Sequence, residues 1–144
     1  MPVALLDVNF LVALFDAEHI HHEPAHSWFA SHKGDGWASC PLTENGVVRI
    51  LSNIAYSGVA ENAGQVRDRL DAFCRSGDHV FWADSISLRD GRFDLSGVTH
   101  RQLTDLYLLA LAVENNGHLA TFDGRIRQLR FAQVHRDSLV VIPV

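Results

Sequence analysis

Short apolar segments alternate with longer amphipathic segments along the whole chain. The segments predicted to form strands are residues 3–6, 37–40, 79–82, 118–121 and 139–142. Segment 3–6 is too short for a helix, and its unbroken apolar run is typical of a strand buried on both faces of a parallel sheet.

The apolar positions between these strands have helical spacing. Helices are predicted at residues 10–15, 24–33, 44–55, 62–75, 105–116 and 125–131, with a short helix and a loop within 84–101. Asn9, Thr43 and Thr104 are predicted to cap three of them, the third helix is predicted to end at 56–58, and Gly117 is predicted to end the helix at 105–116. The alternation of strands and helices predicts an α/β fold, a three-layer α/β/α sandwich with a central parallel sheet, with residues 1–144 as one domain.

Composition excludes several classes of protein but does not indicate an activity. No apolar stretch reaches the roughly 20 residues that a membrane span requires, and no basic region precedes the first apolar run as in a signal peptide. Cys40 and Cys74 lack the spacing of a redox or metal-binding pair, so we expect reduced thiols in a cytoplasmic protein. The net charge of −5 argues against a general nucleic-acid binder. Eleven arginines against one lysine are compatible with phosphate contacts and equally with a GC-rich coding bias, so charge alone leaves the partner open.

Four acidic residues occupy equivalent places in the predicted elements. Asp7 and Asp123 each end a strand, whereas Glu44 and Asp105 each follow a threonine in the first turn of a helix. One such acid has a structural explanation, because an acid at a helix N-terminus stabilises the helix by about 0.3–1 kcal/mol. If the strand ends converge, all four acids can meet at one edge of the sheet, in a cluster whose like charges raise each other's pKa or attract a cation. Oxygen ligands alone favour Mg²⁺ or Mn²⁺.

Two further polar residues lie beside these acids. Asn9 follows Asp7 by two positions and is predicted to hold a water or a phosphate at the same strand end. Arg125 follows the turn at Gly124 and is predicted to reach a scissile phosphate or to brace a carboxylate.

At this point the chain resembles a known family. The segments 7–11, 43–44, 103–108 and 120–123 are similar, in order and spacing, to the four acidic motifs of PIN-domain ribonucleases, and above all to the VapC toxins of bacterial VapBC toxin–antitoxin modules. The resemblance covers essentially the whole chain. It implies cleavage of RNA that depends on Mg²⁺ or Mn²⁺, a homodimer, and inhibition by a cognate VapB antitoxin.

The resemblance also implies roles for the acidic residues. Asp7 and Asp105 are expected to bind the metal directly, and Glu44 and Asp123 to hold metal-bound waters or a second ion. The helices near 47–54 and 66–73 carry more apolar residues than one sheet face covers, which also favours a symmetric dimer.

Two other classes of protein have the same acidic pattern. A non-catalytic binding protein would use the acidic crevice to accept a basic segment of a partner. Phosphotransfer on an aspartate would need a lysine at a late strand end, but the only lysine is Lys33.

Overall fold

Five strands pair in parallel to form one sheet in this computed structural model, which describes residues 2–57 and 61–144. The strands are β1 (Ala4–Leu6), β2 (Trp37–Ser39), β3 (His79–Phe81), β4 (His118–Thr121) and β5 (Leu139–Val141). Their order across the sheet is β3-β2-β1-β4-β5, so the direction of winding reverses between β1 and β4. All five predicted strands are confirmed, to within one residue at each end.

Helices cover both faces of this sheet. They are α1 (Val8–Phe15), α2 (His22–His32), α3 (Pro41–Leu51), α4 (Ile54–Ser57), α5 (Ala63–Arg75), α6 (Leu103–Glu114) and α7 (Arg130–Val134). Short 3₁₀ helices occur at Lys33–Asp35, Gly124–Gln128 and Arg136–Ser138. The core on one face includes side chains of α1, α2, α3 and α5, and the core on the other includes side chains of α6 and α7. The predicted three-layer α/β/α fold is therefore confirmed.

The pleat of β1 assigns its side chains to two separate cores. Leu6 packs in the core beneath α1, whereas Leu5 packs in the core beneath α6, and both are fully buried. Because side chains alternate between the two faces, a strand covered on both sides must be apolar at every position. This explains the unbroken apolar run that precedes Asp7. In the part of the chain that the structure describes, no helix combines the length and the hydropathy of a membrane span.

The cap of α1 differs from the sequence prediction, which assigned it to Asn9. Asp7 caps the helix instead, because its backbone is still extended and its carboxylate accepts the N–H of Phe10 at 2.7 Å. Asn9 lies inside the first turn and is exposed. The helix therefore begins directly at the end of β1, with no connecting loop.

The other two predicted caps are also wrong. Helix α3 begins two residues earlier than Thr43, and Cys40 is its cap; the Thr43 hydroxyl accepts the N–H of Cys40 at 3.0 Å from inside the first turn. Helix α6 begins at Leu103, with Gln102 as its cap, and Thr104 is exposed in the first turn. In both cases the threonine lies within the helix that it was predicted to precede.

Three boundary predictions also need correction. The helix after Thr43 ends at Leu51 and α4 follows it, so the predicted end at 56–58 is wrong for residues 56–57, while Gly58 lies outside the described residues. Residues 84–101 contain turns but no helix. The helix predicted at 125–131 is divided into a 3₁₀ helix and α7, separated at Leu129.

Gly117 joins α6 to β4 where three segments come together. Asn116 before it adopts φ +56°, and the Gly117 N–H donates to the carbonyl of Ala112 at 2.9 Å, which ends the helix as predicted. A Cβ at Gly117 would lie 2.5 Å from the carbonyl oxygen of Val3 and 2.5 Å from Cη2 of Trp82. The absence of a side chain therefore lets Trp82 close this end of the second core.

We predict that Gly117→Ala lowers the free energy of unfolding by about 1–3 kcal/mol, because a backbone oxygen and a buried indole must move to admit the methyl group. Gly34→Ala is the matched control, since a Cβ there meets nothing within 4 Å, and its effect should stay within about 0.5 kcal/mol. Urea unfolding of the three proteins measures both values. Equal stability of Gly117→Ala and the parent would contradict the close packing.

Candidate active site

Asp7 lies where the sheet changes its direction of winding. Its N–H donates to the carbonyl of Ala120 at 3.2 Å, so the ends of β1 and β4 lie side by side. After Asp7 the chain enters α1 on one face, whereas after β4 it enters the 3₁₀ helix whose Ile126 packs in the core of the other face. Connections that diverge in this way leave a crevice at the carboxyl ends of the two strands, which is where α/β proteins bind ligands.

Burial gives Asp7 an unusual protonation equilibrium. Its side chain is only 5% exposed, and this desolvation raises its pKa from 3.8 to about 6. Hydrogen bonds from the Thr121 hydroxyl and the Phe10 N–H lower the pKa in part, because both favour the ionised form. The charges of Asp105 and Asp123 raise it again.

Thr121 connects Asp7 to Asp123. It is the last residue of β4 and is 1% exposed. Its hydroxyl donates to the Asp7 carboxylate and accepts the N–H of Asp123 at 3.0 Å. One buried hydroxyl therefore fixes the relative positions of two acids that come from different strands.

Asp105 reaches the same crevice from α6, in whose first turn it lies. Burial raises the pKa of Asp105, the charge of Asp123 raises it further, and Arg125 lowers it. The charges of Asp7, Asp105 and Asp123 thus act on one another, as predicted for acids that meet at one edge of the sheet.

Arg125 forms a bidentate ion pair with Asp123. Its Nε donates to Oδ1 at 2.9 Å and its Nη2 donates to Oδ2 at 2.7 Å. The pair lowers the pKa of Asp123, so this acid is ionised while its two neighbours resist ionisation. The Arg125 side chain remains 78% exposed. It therefore braces a carboxylate, one of its two predicted roles, while remaining accessible from solvent.

Glu44 has different partners from the other three acids. It accepts a hydrogen bond from Ser39 Oγ at 2.6 Å, and Ser39 Oγ lies 2.8 Å from Nε2 of His79. The charge of Glu44 acts on the pKa of Cys74 and His79, whereas the carboxylates that act on Asp7 are Asp105 and Asp123. The charges of three of the four predicted acids therefore act on one another, whereas Glu44 is held by Ser39 and its carboxylate lies near His79 of β3.

The donor set of the first three acids fits a hard divalent cation. Asp7, Asp105 and Asp123 supply only oxygen atoms, and Arg125 is the positive charge that acts on Asp105 and Asp123. A buried carboxylate with a raised pKa gains from a nearby cation, because the cation offsets the cost of ionising it. Carboxylate oxygens are the ligands that Mg²⁺ and Mn²⁺ prefer, but among the described residues the ligand atoms of these three acids do not all lie within 4.8 Å of one another.

Two residues of this region were missed as functional contacts by sequence reasoning. Thr121 and Ser39 are both polar and fully buried, and each is the last residue of its strand. A hydroxyl at a buried strand position next to an acidic motif was the available signal. Whether such a hydroxyl contacts the acids depends on the face of the sheet to which its side chain points, and that face depends on the register of the strand.

Comparison with known proteins agrees with this geometry. The PIN domain family matches residues 4–132. Ribonuclease VapC44 of Mycobacterium tuberculosis is 41% identical over 125 residues, covering 85% of this chain and 87% of that protein. Ribonuclease VapC38 of the same species is 44% identical over 86% of this chain and 87% of its own length. Ribonuclease VapC29, also from M. tuberculosis, is 39% identical over 96% of each.

The chain therefore belongs to the PIN-domain family, and its relatives place it among the VapC proteins of that family. The resemblance drawn from the acidic motifs is confirmed.

The burial of Asp7 makes stability depend on pH. The folded chain holds this proton up to about pH 6, whereas the unfolded chain releases it near pH 4, so stability falls as the pH rises through this window. We predict that Asp7→Asn, which keeps a helix-capping side chain, becomes more stable than the parent across the same window, by up to about 3 kcal/mol.

The measurement is urea unfolding in a chelating buffer at several values of pH between about 4 and 7.5. The difference between the two proteins isolates Asp7 from the other titrating groups. A difference that does not change with pH would show that Asp7 titrates normally.

Proposed function

We propose that this protein is the toxin of a type II toxin–antitoxin pair, and that it hydrolyses phosphodiester bonds within RNA. The observation that carries the proposal is the group of three interacting carboxylates, Asp7, Asp105 and Asp123, in the crevice between β1 and β4. Its relatives are named ribonucleases, and an acidic crevice of this kind suits a nuclease that uses a divalent cation.

The proposed cofactor is Mg²⁺ or Mn²⁺. Asp7 and Asp105 are proposed as direct ligands, because both are buried carboxylates whose ionisation a cation would favour. Asp123 and Glu44 are proposed to orient water around the ion. A bound divalent ion would supply a water of lowered pKa as the nucleophile and a positive charge for the phosphate.

The chain's own residues prepare the site for this chemistry. Thr121 holds Asp7 and Asp123 in fixed positions, so little reorganisation is needed when substrate binds. Arg125 keeps Asp123 ionised and offers the rest of its guanidinium to a phosphate oxygen. Asn9 is exposed two residues after Asp7 and is proposed to contact the RNA backbone.

Glu44 requires a side-chain rotation to take part. In the structure it is held by Ser39, and it would have to exchange this hydrogen bond for one to water near Asp7. We therefore assign Glu44 the weakest contribution among the four acids in the resting protein.

The cognate antitoxin, a VapB protein, is proposed to inhibit through the same crevice. Three carboxylates with only one nearby guanidinium attract a further cation, and an inserted arginine matches a carboxylate with two parallel hydrogen bonds. Such a side chain would occupy the position of the metal without supplying a water. The partner must also cover apolar surface, since an exposed ion pair contributes only about 0–1 kcal/mol.

Replacing a proposed ligand tests catalysis against the alternative of a non-catalytic binding protein. Asp7→Asn and Asp105→Asn should each lower RNA cleavage by at least about 100-fold at fixed Mg²⁺, because each removes a charge at the metal. Asp137→Asn is the matched control, since Asp137 is exposed in the 3₁₀ helix before β5, and it should cleave normally.

The readout is cleavage of a mixed cellular RNA, with folding checked by circular dichroism. Normal cleavage by folded Asp7→Asn would refute its assignment as a ligand. Absence of cleavage by the parent with Mg²⁺ or Mn²⁺ would favour the binding protein.

A homodimer is proposed from the apolar surface of α3 and α4. Val47 and Val66, part of the sequence argument for a dimer, are wholly buried in the chain's own core. The apolar side chains that α3 and α4 leave exposed are Leu42, Ile54 and Tyr56, at 38%, 67% and 40%. Apolar side chains exposed together on neighbouring helices are typical of an interface between copies.

Light scattering at micromolar concentration should therefore give twice the monomer mass of 16.0 kDa. Ile54→Glu should shift the protein toward the monomer, because a charge in the interface is costly to desolvate. Val134→Glu is the control, since Val134 is equally exposed, at 68%, but lies in α7 on the opposite layer. A monomeric parent, or a dimer that Ile54→Glu leaves intact, would contradict this interface.

A further inference from the structure

A second group of potential metal ligands lies outside the aspartate crevice. Glu44 of α3, Cys74 of α5 and His79 of β3 each offer a ligand atom, and these three atoms lie within 4.8 Å of one another. All three side chains are half-buried. They come from three different elements, so their convergence is produced by the tertiary fold and not by local sequence spacing.

The chemistry of this group differs from that of the aspartates. It combines one oxygen, one sulfur and one nitrogen donor, whereas Asp7, Asp105 and Asp123 offer oxygen alone. Thiolate and imidazole ligands favour Zn²⁺ and similar borderline cations over Mg²⁺. Three protein ligands with a water in the fourth position are a common coordination of accessible Zn²⁺ sites.

The approach to this group is an open pocket lined by charges of both signs. Glu44, Cys74 and His79 line this pocket of about 650 Å³ together with Asp68, Asp71, Arg67 and Arg75. Asp71 is paired with Arg75 at 3.1 Å, and Asp68 is paired with Arg67 at 3.1 Å. Both arginines of the pocket are thus paired with aspartates, and among the described residues neither forms an ion pair with Glu44.

Hydrogen bonds already orient two of the three ligands. Ser39 Oγ donates to Glu44 at 2.6 Å and contacts His79 Nε2 at 2.8 Å, and Ser39 itself is fully buried. Such supporting contacts around metal ligands hold them in position and strengthen binding. In a tetrahedral shell with bonds of about 2.0–2.3 Å, ligand atoms are about 3.3–3.8 Å apart, so no pair of the three atoms needs to close by more than about 1.5 Å.

We propose that Glu44, Cys74 and His79 form a Zn²⁺ site beside the aspartate crevice, with a water as the fourth ligand. Glu44 bound to this Zn²⁺ would not be free to orient water at the crevice. On binding, the Cys74 thiol forms the sulfur–zinc bond and its proton is released to solvent. His79 binds through a neutral ring nitrogen, and Glu44 binds through one carboxylate oxygen. The site does not depend on RNA cleavage, and its test requires no RNA.

The protonation of the free ligands is compatible with this reaction. Burial lowers the pKa of His79 more than Glu44 raises it, so the neutral ring is its main form at neutral pH. Burial, with smaller effects of Glu44 and Asp71, raises the pKa of Cys74 to about 11. The thiol is therefore unreactive until a cation offsets the surrounding negative charge and displaces its proton.

Cobalt(II) substitution is the direct test, because a cobalt–thiolate bond gives a charge-transfer absorption that oxygen ligands do not give. The protein is reduced with a phosphine, freed of metals with a chelator, and titrated with Co²⁺ and then with Zn²⁺. We expect one equivalent of Co²⁺ to produce the thiolate band and Zn²⁺ to abolish it. Zn²⁺ should also raise the melting temperature, since it binds the folded state.

Two ligand variants and two controls complete the test. Cys74→Ser should abolish the band, and His79→Gln should weaken Zn²⁺ binding by at least about 10-fold. Cys40→Ser makes the same chemical change at the other free cysteine, and Asp7→Asn removes an acid of the crevice; both should keep the band and the affinity.

Each of the following results would overturn the site. The first is a thiolate band absent from the parent, and the second is a band that persists in Cys74→Ser. The third is a band that disappears in Cys40→Ser, and the fourth is Co²⁺ binding that only Asp7→Asn removes. Because His79→Gln retains both cysteines, it tests the site even if Cys74→Ser folds poorly.

Discussion

The structure around the crevice depends on the free-energy cost of burying a carboxylate, Asp7, at the carboxyl end of the central strand β1. Asp7 is only 5% exposed, and the charges that act on it are those of two further acids, Asp105 and Asp123. Its burial is offset locally by the Thr121 hydroxyl and the Phe10 N–H. Those two hydrogen bonds also fix the start of α1 and the end of β4. The contacts that stabilise the buried carboxylate of Asp7 therefore determine the geometry of the crevice.

The alternation of apolar segments predicted most of this architecture. All five strands and the three-layer arrangement follow from it, because a strand buried on both faces has a sequence signature that a short amphipathic segment lacks. The helix caps were less predictable. At Asp7 and Asn9, and again at Cys40 and Thr43, two polar or small residues compete for one position, and the choice depends on the direction in which the preceding strand leaves the sheet.

The candidate site was predicted in part for a related reason. Asp7, Asp105 and Asp123 converge because two of them end neighbouring strands and the third lies in the first turn of the helix before β4. Glu44 has the same local sequence setting as Asp105, a threonine followed by an acid. The orientation of the Glu44 side chain depends on Ser39 of β2 and His79 of β3. That contact cannot be recognised from the spacing of residues along the chain.

Asp7 is subject to two requirements that differ in strictness. As the residue that begins α1, it could be replaced by asparagine, serine or threonine, since all of these accept the same backbone N–H. As a charge in the crevice, it must be an acid. Among genes that encode this fold, the residue at this position would therefore separate copies that have kept a selected chemistry from copies that have decayed while still producing a folded protein. A decayed copy of this kind would continue to occupy binding partners, and so it would act in the cell as a decoy.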